Sequence, residues 1–210
     1  MTDDPVKLGL VTSIAKPGGN ATGVYTFLSD LAAKQLGLLR ELVPAAMRIG
    51  LLVNPDNPNA EAVTREVTAG ASAIGVQIEV IRASDRVAID AAFAALVRNK
   101  TDALVVGADP FFFSRRAQLA TLAIRHAIPA VYTVRDFPEA GGLMSYGTRL
   151  IEAFRHIGVY TGRIVKGAKP AELPVVQSTQ FDFIINLTTA RALGLDVPPT
   201  LLARADEVIE

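Results

Sequence analysis

The chain has 210 residues, half of them hydrophobic, so it is long enough to bury a substantial core. Its 21 basic and 21 acidic residues give a formal net charge of zero, which argues against binding nucleic acid by neutralising phosphates. The absence of cysteine excludes disulfides, thiolate metal sites and cysteine nucleophiles.

Elements are predicted along the chain from apolar runs and the turn residues that close them. The first is an amphipathic helix at about 30–43. Strands follow at 48–53, 76–81, 103–106 and 130–132. Helices at about 58–74, 85–99 and 113–126 separate them, the first with Asn57 as its N-cap. Because each spacing suits a βαβ crossover, the fold class is α/β, a Rossmann-like parallel sheet flanked by helices on both faces.

Beyond residue 132 the pattern continues with shorter elements. They are a strand at 143–146, a helix at about 148–166 ending at Gly167, a strand at 181–185 and a short helix at 188–193. No apolar run approaches the roughly 20 residues of a membrane span. The chain opens with acidic and polar residues and lacks the basic start and apolar run of a secretory signal.

Polar residues follow three of the predicted strands, where ligands collect in open parallel sheets. These are Asn54-Pro55-Asp56, Asp109-Pro110-Phe111 and Thr133-Val134-Arg135-Asp136. Turn and cap chemistry also explains them singly: Asn54 and Asp56 suit a turn, Asp109 can cap a helix, and Arg135 with Asp136 can form an exposed ion pair. As a set they favour a site at one rim, where an aromatic of Phe111–Phe113 can stack on a ligand.

The sequence contains no recognisable catalytic or cofactor-binding motif. Gly142–Gly147 resembles a nucleophile elbow, but Leu143 stands where a glycine is required two residues before Ser145. His126 and His156 have no metal-ligand spacing, and no phosphate-binding or dinucleotide-binding loop occurs. The sequence therefore predicts a binding protein without catalytic residues, metal or cofactor.

Several segments together resemble a known family. They are Asp4-Pro5-Val6 with Gly9-Leu10-Val11, the segments 16–23 (KPGGNATG), 52–56 (LVNPD), Asp109-Pro110, 128–132 (IPAVY) and 139–147 (EAGGLMSYG), and the tail from Ala192 to Ile209. The chain resembles the substrate-binding proteins of ABC-type uptake transporters in the tryptophan/tyrosine-like family, with the type I periplasmic binding fold. The order and spacing of these segments carry the resemblance, which covers nearly the whole chain.

The resemblance implies two Rossmann-like lobes with a ligand in the cleft between them and hinge closure on binding. It implies four segments: 1–47 as crossover and helix of the first lobe, 48–137 as the second-lobe α/β domain, 138–170 as a return to the first lobe, and 171–210 as a return to the second. A periplasmic or extracytoplasmic location and an ABC permease as partner follow from the same resemblance.

Compared with the family, the chain is expected to lack the export signal and most of the first lobe. The strand at 143–146 is then expected to expose an edge, and the helix at 148–166 to lose its packing partner. Homodimerisation through this first-lobe remnant is one way to cover them.

The resemblance also implies a set of ligand-binding residues drawn from both lobes. They are Asp4, Asn54, Asp109, Phe111, Thr133, Asp136, Ser145 and Tyr146. Asp109 is expected to hold the ammonium group of a small molecule such as an amino acid. Two other readings stay open: a truncated fragment that binds nothing, and the effector-sensing domain of a regulator, which the lack of a helix-turn-helix or basic head disfavours.

Overall fold

The computed structural model describes residues 5–6, 8–26 and 31–210. The chain divides into two compact units, unit 1 formed by Met1–Ser29 and Thr148–Phe181 and unit 2 by Asp30–Gly147 and Asp182–Glu210. The strands are β1 (Val24–Tyr25), β2 (Arg48–Val53), β3 (Gln77–Arg82), β4 (Ala103–Val106), β5 (Ala130–Tyr132), β6 (Met144–Thr148), β7 (Val176–Gln177), β8 (Phe181–Asn186) and β9 (Glu207–Ile209). The helices are α1 (Ala32–Leu42), α2 (Ala60–Ala73), α3 (Arg86–Arg98), α4 (Pro110–Ser114), α5 (Arg116–Arg125), α6 (Asp136–Glu139), α7 (Leu150–Val165), α8 (Leu187–Ala192) and α9 (Pro199–Leu202), with a 3₁₀ turn at Pro170–Glu172.

Unit 2 is built on a seven-stranded sheet in the order β3-β2-β4-β5-β6-β8-β9. The pairs β2–β3, β2–β4, β4–β5, β5–β6 and β8–β9 are all parallel. Three strands, β2, β4 and β5, occupy the residues predicted for them. The predicted α/β class with a parallel sheet is therefore confirmed.

Helices cover both faces of this sheet, and the alternation along β2 shows how. Ile49, Leu51 and Val53 belong to one buried cluster with residues of α1 and α2. Gly50 points the other way, where an added Cβ atom would lie 2.5 Å from the Leu96 side chain of α3. A fully apolar strand such as β2 is the pattern of a sheet buried on both sides.

The strand at 143–146 does not expose an edge, and this part of the prediction is wrong. In the structure β6 lies between β5 and β8, inside the sheet of unit 2. Met144 is paired with Val131, and the amide of Asn186 donates to the Leu143 oxygen at 2.8 Å. The sheet of unit 2 supplies the neighbours that the resemblance assigned to the first lobe.

The unit boundaries differ from the segment ends expected at residues 47, 137 and 170. Helix α1, expected in the first lobe, packs on α2 and β5 and lies in unit 2. Strand β6, apart from its last residue, also lies in unit 2, because its main chain pairs with β5 in the sheet.

Two helix boundaries also differ from the prediction. Asn57 is not the N-cap residue, because α2 begins at Ala60 after Asn59. The Asn57 Oδ1 instead accepts from the Asn59 amide at 2.9 Å in the turn before the helix, and its Nδ2 donates to Asp109 at 2.8 Å. The single helix expected at 113–126 is two helices, α4 and α5, which meet at Arg115. The cap formed by Asp109 starts the first of them at Pro110.

Unit 1 contains a small parallel sheet of β1 and β7, in which Val24 is paired with Val176. Helix α7 packs on β1, and the Tyr160 hydroxyl donates to the Pro174 oxygen at 2.8 Å. Much of this helix is exposed, including Ile151 and Phe154. Within the described part of the chain, no helix has the length and hydropathy needed to cross a membrane.

Candidate functional site

The sheet of unit 2 has a topological switch point between β2 and β4. From β2 the chain crosses through α2 to β3 on one side, then returns through α3 to β4 on the other side of β2. Connections that leave in opposite directions open a crevice at the carboxyl ends of the two strands, where α/β proteins bind ligands. Asn54 follows β2 and Asp109 follows β4, so the fold brings two of the predicted site residues to this crevice.

Asp109 is the centre of a polar network at the switch point. Its Oδ1 accepts hydrogen bonds from the amides of Phe111 at 2.8 Å and Phe112 at 3.1 Å. Its Oδ2 accepts from Nδ2 of Asn57 at 2.8 Å and of Asn54 at 3.2 Å. A carboxylate has about four acceptor positions, so the chain itself occupies those of Asp109. The expected helix cap is present, and the carboxylate also fixes the side chains of the neighbouring loop.

The hollow beside this network is small. It is lined by Asn54, Asn57, Val63 and Asp109 among others, and its volume is about 10 Å³. That volume holds about one water molecule. A ligand at the switch point therefore has to lie over the rim of unit 2, in contact with what the loops present outward.

Phe111 is the aromatic side chain that the Asp109 cap positions at this rim. Its ring is half-buried, while Phe112 is fully buried in the core and Phe113 is exposed. The Phe111 and Phe112 centroids are 5.8 Å apart, and the Arg115 guanidinium lies 5.8 Å from the Phe111 ring centre. An aromatic face beside a positive charge suits a ligand that carries both an apolar side chain and a carboxylate.

Thr133 and Tyr146 lie next to each other, just past the last pair that joins β5 and β6. Tyr132 and Ser145 are paired across these strands, which places the following residues side by side. Thr133 is 9% exposed, and Tyr146 is half-buried with its ring edge-on to Phe183 at 6.3 Å. Helix α1 joins the two strand ends through Gln35, which the sequence analysis did not select. The sequence feature that could have identified Gln35 is a glutamine within the otherwise apolar helix face formed by Ala32, Leu36, Leu39 and Leu42.

Ser145 is not brought to the rim, because it is fully buried inside the sheet. Among the described residues its Oγ has no hydrogen-bond partner, and the same holds for the buried hydroxyl of Tyr132. The Tyr132 ring stacks on Phe137 with centroids 4.5 Å apart, and its burial raises the pKa of the phenol. These two hydroxyls lie inside the fold and are closed to a ligand in this structure.

The Arg135–Asp136 ion pair considered from the sequence is replaced by other contacts. The Arg135 guanidinium lies 2.8 Å from a carboxylate oxygen of Glu139 and 2.8 Å from one of Glu207. The hydrogen bond to Glu139 is the main cause that raises the pKa of Arg135. Asp136 begins α6 and is half-buried, four residues after the end of β5 and three after Thr133.

Asp4 lies outside the described residues, so the structure does not place it. Across the described part of the chain, no group of three or more histidine, cysteine, aspartate or glutamate side chains is arranged to hold a metal ion.

Comparison with known proteins agrees with the family resemblance seen in the sequence. The family model for ABC transporter substrate binding proteins matches residues 1–209. A tyrosine-binding protein of Clostridioides difficile (strain R20291) is 27% identical over 192 residues, which are 91% of this chain and 55% of that protein. The chain thus spans little more than half the length of this curated relative.

Two solved structures extend the comparison. An ABC domain in complex with L-Trp, from Streptococcus pneumonia, has a TM-score of 0.86 and 28% identity and covers 98% of this chain and 69% of that one. A ligand-free, open substrate-binding protein with adhesive properties from Clostridium difficile has a TM-score of 0.71 and 26% identity over 99% and 68% of the two chains. These similarities confirm the type I periplasmic binding fold.

Proposed function

Because the chain belongs to the ABC transporter substrate-binding protein family, we propose that it binds an amino acid and presents it to an ABC permease. The contact between Asn54 and Asp109 at the switch point is the observation that carries the proposal. This contact lies at the rim of unit 2, where polar groups and an aromatic ring are close together.

The ligand class follows from the rim and from the relatives. One relative is described as a tyrosine-binding protein and one solved neighbour holds L-Trp. In this chain Phe111 offers a ring face, and Arg115 offers a positive charge beside it. Asp109 carries a negative charge whose field favours an ammonium group, although its oxygens are bonded within the chain. We therefore propose an aromatic amino acid, held near Asn54, Phe111, Thr133, Asp136 and Tyr146.

A thermal-shift screen of the purified chain tests this function. A ligand present at about 100 times its dissociation constant adds roughly 2.7 kcal/mol to the free energy of unfolding. L-tryptophan or L-tyrosine is expected to raise the melting temperature, whereas the D-enantiomers and glucose are expected to leave it unchanged. A folded chain that responds to none of the L-amino acids favours the non-binding fragment.

Proteins of this family act outside the cytoplasm, and we propose the same location for this chain. Delivery to a permease is part of the same proposal. Fractionation of cells that produce the protein from its native gene tests the location, with a cytoplasmic marker as the control.

We also propose that the 210-residue chain forms a homodimer through α7. Six large apolar side chains of this helix are exposed, and the three most exposed are Ile151 at 66%, Phe154 at 65% and Val165 at 82%. Gly158 lies between them at coiled-coil spacing, and a Cβ atom added there or at Gly162 would meet nothing within 4 Å. Glycine inside a helix costs about 1 kcal/mol relative to alanine. Close approach of a second helix would explain why positions 158 and 162 are glycine in spite of this cost.

The face is complementary to a second copy of itself in the antiparallel direction. With Gly158 opposite Gly158, Phe154 faces Gly162, so that a large residue meets a small one, and Ile151 faces Val165, so that two apolar side chains meet. The same register brings Glu152 near Arg163 of the other copy, which pairs opposite charges. A twofold arrangement of this kind closes on itself and forms a dimer instead of a filament.

Analytical ultracentrifugation tests the dimer. Phe154→Asp is expected to give a monomer, and the matched control is Val87→Asp, which alters an apolar side chain that is 75% exposed in unit 2. Since the chain lacks cysteine, Gly158→Cys should form disulfide-linked dimers under mild oxidation and Val87→Cys should not. A wild-type monomer at high concentration contradicts the dimer and favours a further segment of a longer polypeptide as the partner of α7.

A further inference from the structure

Gln35 is a buried polar side chain on an apolar helix face. It lies in α1 and is 2% exposed, among neighbours such as Leu36 and Leu39 that are buried in the core of unit 2. A buried amide is costly unless it is hydrogen-bonded, because it has lost its water. Its partners therefore indicate why the position is not leucine.

Both partners of Gln35 are main-chain oxygens of the sheet, one at the end of β5 and one in β6. Its Nε2 lies 2.6 Å from the oxygen of Tyr146 and 3.5 Å from the oxygen of Tyr132. The first is a strong hydrogen bond and the second a long one. One side chain thus connects the last residue of β5 with the third residue of β6, and these two strands are adjacent in the sheet.

The bonded segment is where the chain leaves unit 2. Tyr146 precedes Gly147, the last residue of unit 2 before the chain continues into unit 1. Gly147 is pressed against the main chain of Thr133, as the 1.6 Å approach of an added Cβ atom to the Thr133 oxygen shows. Gln35 therefore bonds to the main chain at two candidate site positions, directly before Thr133 and at Tyr146.

We propose that Gln35 is a positioning residue for the ligand-binding rim, an inference that rests on the proposed function. By donating to the Tyr146 oxygen, it holds the end of β6 in register with β5, so the rim is formed before the ligand arrives. Pre-organisation of this kind raises affinity because the ligand does not have to order the loops.

If Gln35 contributed only to stability, its substitution would not change ligand affinity. Two substitutions in α1 separate this structural role from the positioning role. Gln35→Met keeps the length of the side chain but removes the donor. Leu36→Ala, one residue along the same helix and 1% exposed, leaves a core cavity that costs about 2–5 kcal/mol of stability. Positioning by Gln35 predicts that Gln35→Met weakens the binding of L-tryptophan or L-tyrosine about tenfold or more. Leu36→Ala should lose more stability and bind with unchanged affinity.

Hydrogen exchange measured by NMR gives a readout that does not depend on ligand. In the free protein, Gln35→Met should speed exchange of the amide hydrogens at residues 146–148 relative to the rest of β5 and β6. Leu36→Ala should speed exchange across the unit without singling out this segment. The side-chain amide signals of Gln35 in the wild type should also be protected from solvent.

The outcomes separate the two proposals. Unchanged affinity and unchanged local exchange in Gln35→Met overturn the positioning role. A wild-type chain that binds no amino acid overturns the proposed function, and local exchange then decides alone whether Gln35 orders the end of β6.

Discussion

Gly147 lies so close to Thr133 that an ideal Cβ atom on Gly147 would be 1.6 Å from the main-chain oxygen of Thr133. No side chain other than that of glycine fits, because the blocking atom belongs to the main chain of the neighbouring loop and cannot rotate away. The end of β6 and the loop after β5 are therefore held in contact at the rim of the proposed site.

Gly147→Ala is accordingly expected to lower the free energy of unfolding by about 3 kcal/mol or more, since the main chain has to move to admit the methyl group. Urea denaturation followed by circular dichroism measures the change. Gly37→Ala is the matched control, because Gly37 is an exposed glycine inside α1 with nothing within 4 Å of the added atom.

The control is expected to raise stability by up to about 1 kcal/mol, since alanine is the better helix former. Equal effects of the two substitutions would contradict the close packing of Gly147 against Thr133.

Asp109→Ala is expected to cost about 2–3 kcal/mol of stability. It removes the cap of α4, worth about 1 kcal/mol, and leaves the amide groups of Asn54 and Asn57 without their acceptor. Asp85→Ala is the control, because Asp85 caps α3 through one bond to the Ala88 amide and is not one of the candidate site residues.

Calorimetric unfolding and ligand titration should separate these two variants. Asp85→Ala should lose about 1 kcal/mol and keep its affinity for ligand, whereas Asp109→Ala should lose both stability and at least tenfold in affinity. If Asp109→Ala binds as tightly as the wild type, the carboxylate has no role at the rim beyond the cap.

Tyr132→Phe is expected to stabilise the protein by roughly 1 kcal/mol, because an unsatisfied buried hydroxyl costs free energy. Tyr160→Phe, which removes a hydrogen bond to Pro174, should instead destabilise it by about the same amount. Thermal unfolding of both variants measures the difference. A destabilised Tyr132→Phe would show that a buried water molecule bonds to the hydroxyl.

Tyr132 is also expected to make the free energy of unfolding depend on pH. Burial raises the pKa of Tyr132 in the folded state, so the folded protein holds this proton more tightly than the unfolded chain. Its contribution to stability is fully present below the ordinary tyrosine pKa of about 10 and is lost as the pH rises above that value. Tyr132→Phe should therefore show a weaker loss of stability between about pH 10 and pH 11.

The sequence predicted the fold of unit 2 because its strands are short apolar runs closed by turn residues. β2, β4 and β5 match their predicted residues since burial on both faces leaves a continuous apolar signal. The two-residue strands β1 and β7 carry no comparable periodicity, and their pairing depends on residues about 150 positions apart. The placement of β6 failed because the resemblance assigned it to the first lobe, whereas pairing with β5 and β8 places it in the sheet of unit 2.

The candidate site was predictable in part. The rule that ligands collect at the carboxyl ends of parallel strands led to Asn54 and Asp109, and the structure brings these side chains into contact. The part played by Asn57 was missed, because its position before Pro58 equally suits a helix cap. Gln35 and Gly147 were missed because their roles depend on main-chain atoms about 14 to 111 residues away, which no local pattern reveals.

Isothermal titration of the folded chain with L-tryptophan and L-tyrosine tests the central claim most directly. The proposal that this family member binds an aromatic amino acid predicts saturable heat with one ligand per chain, and a loss of that heat in Asp109→Ala but not in Asp85→Ala. A chain that is folded by circular dichroism and monodisperse, yet gives only the heat of dilution with every L-amino acid, would contradict it.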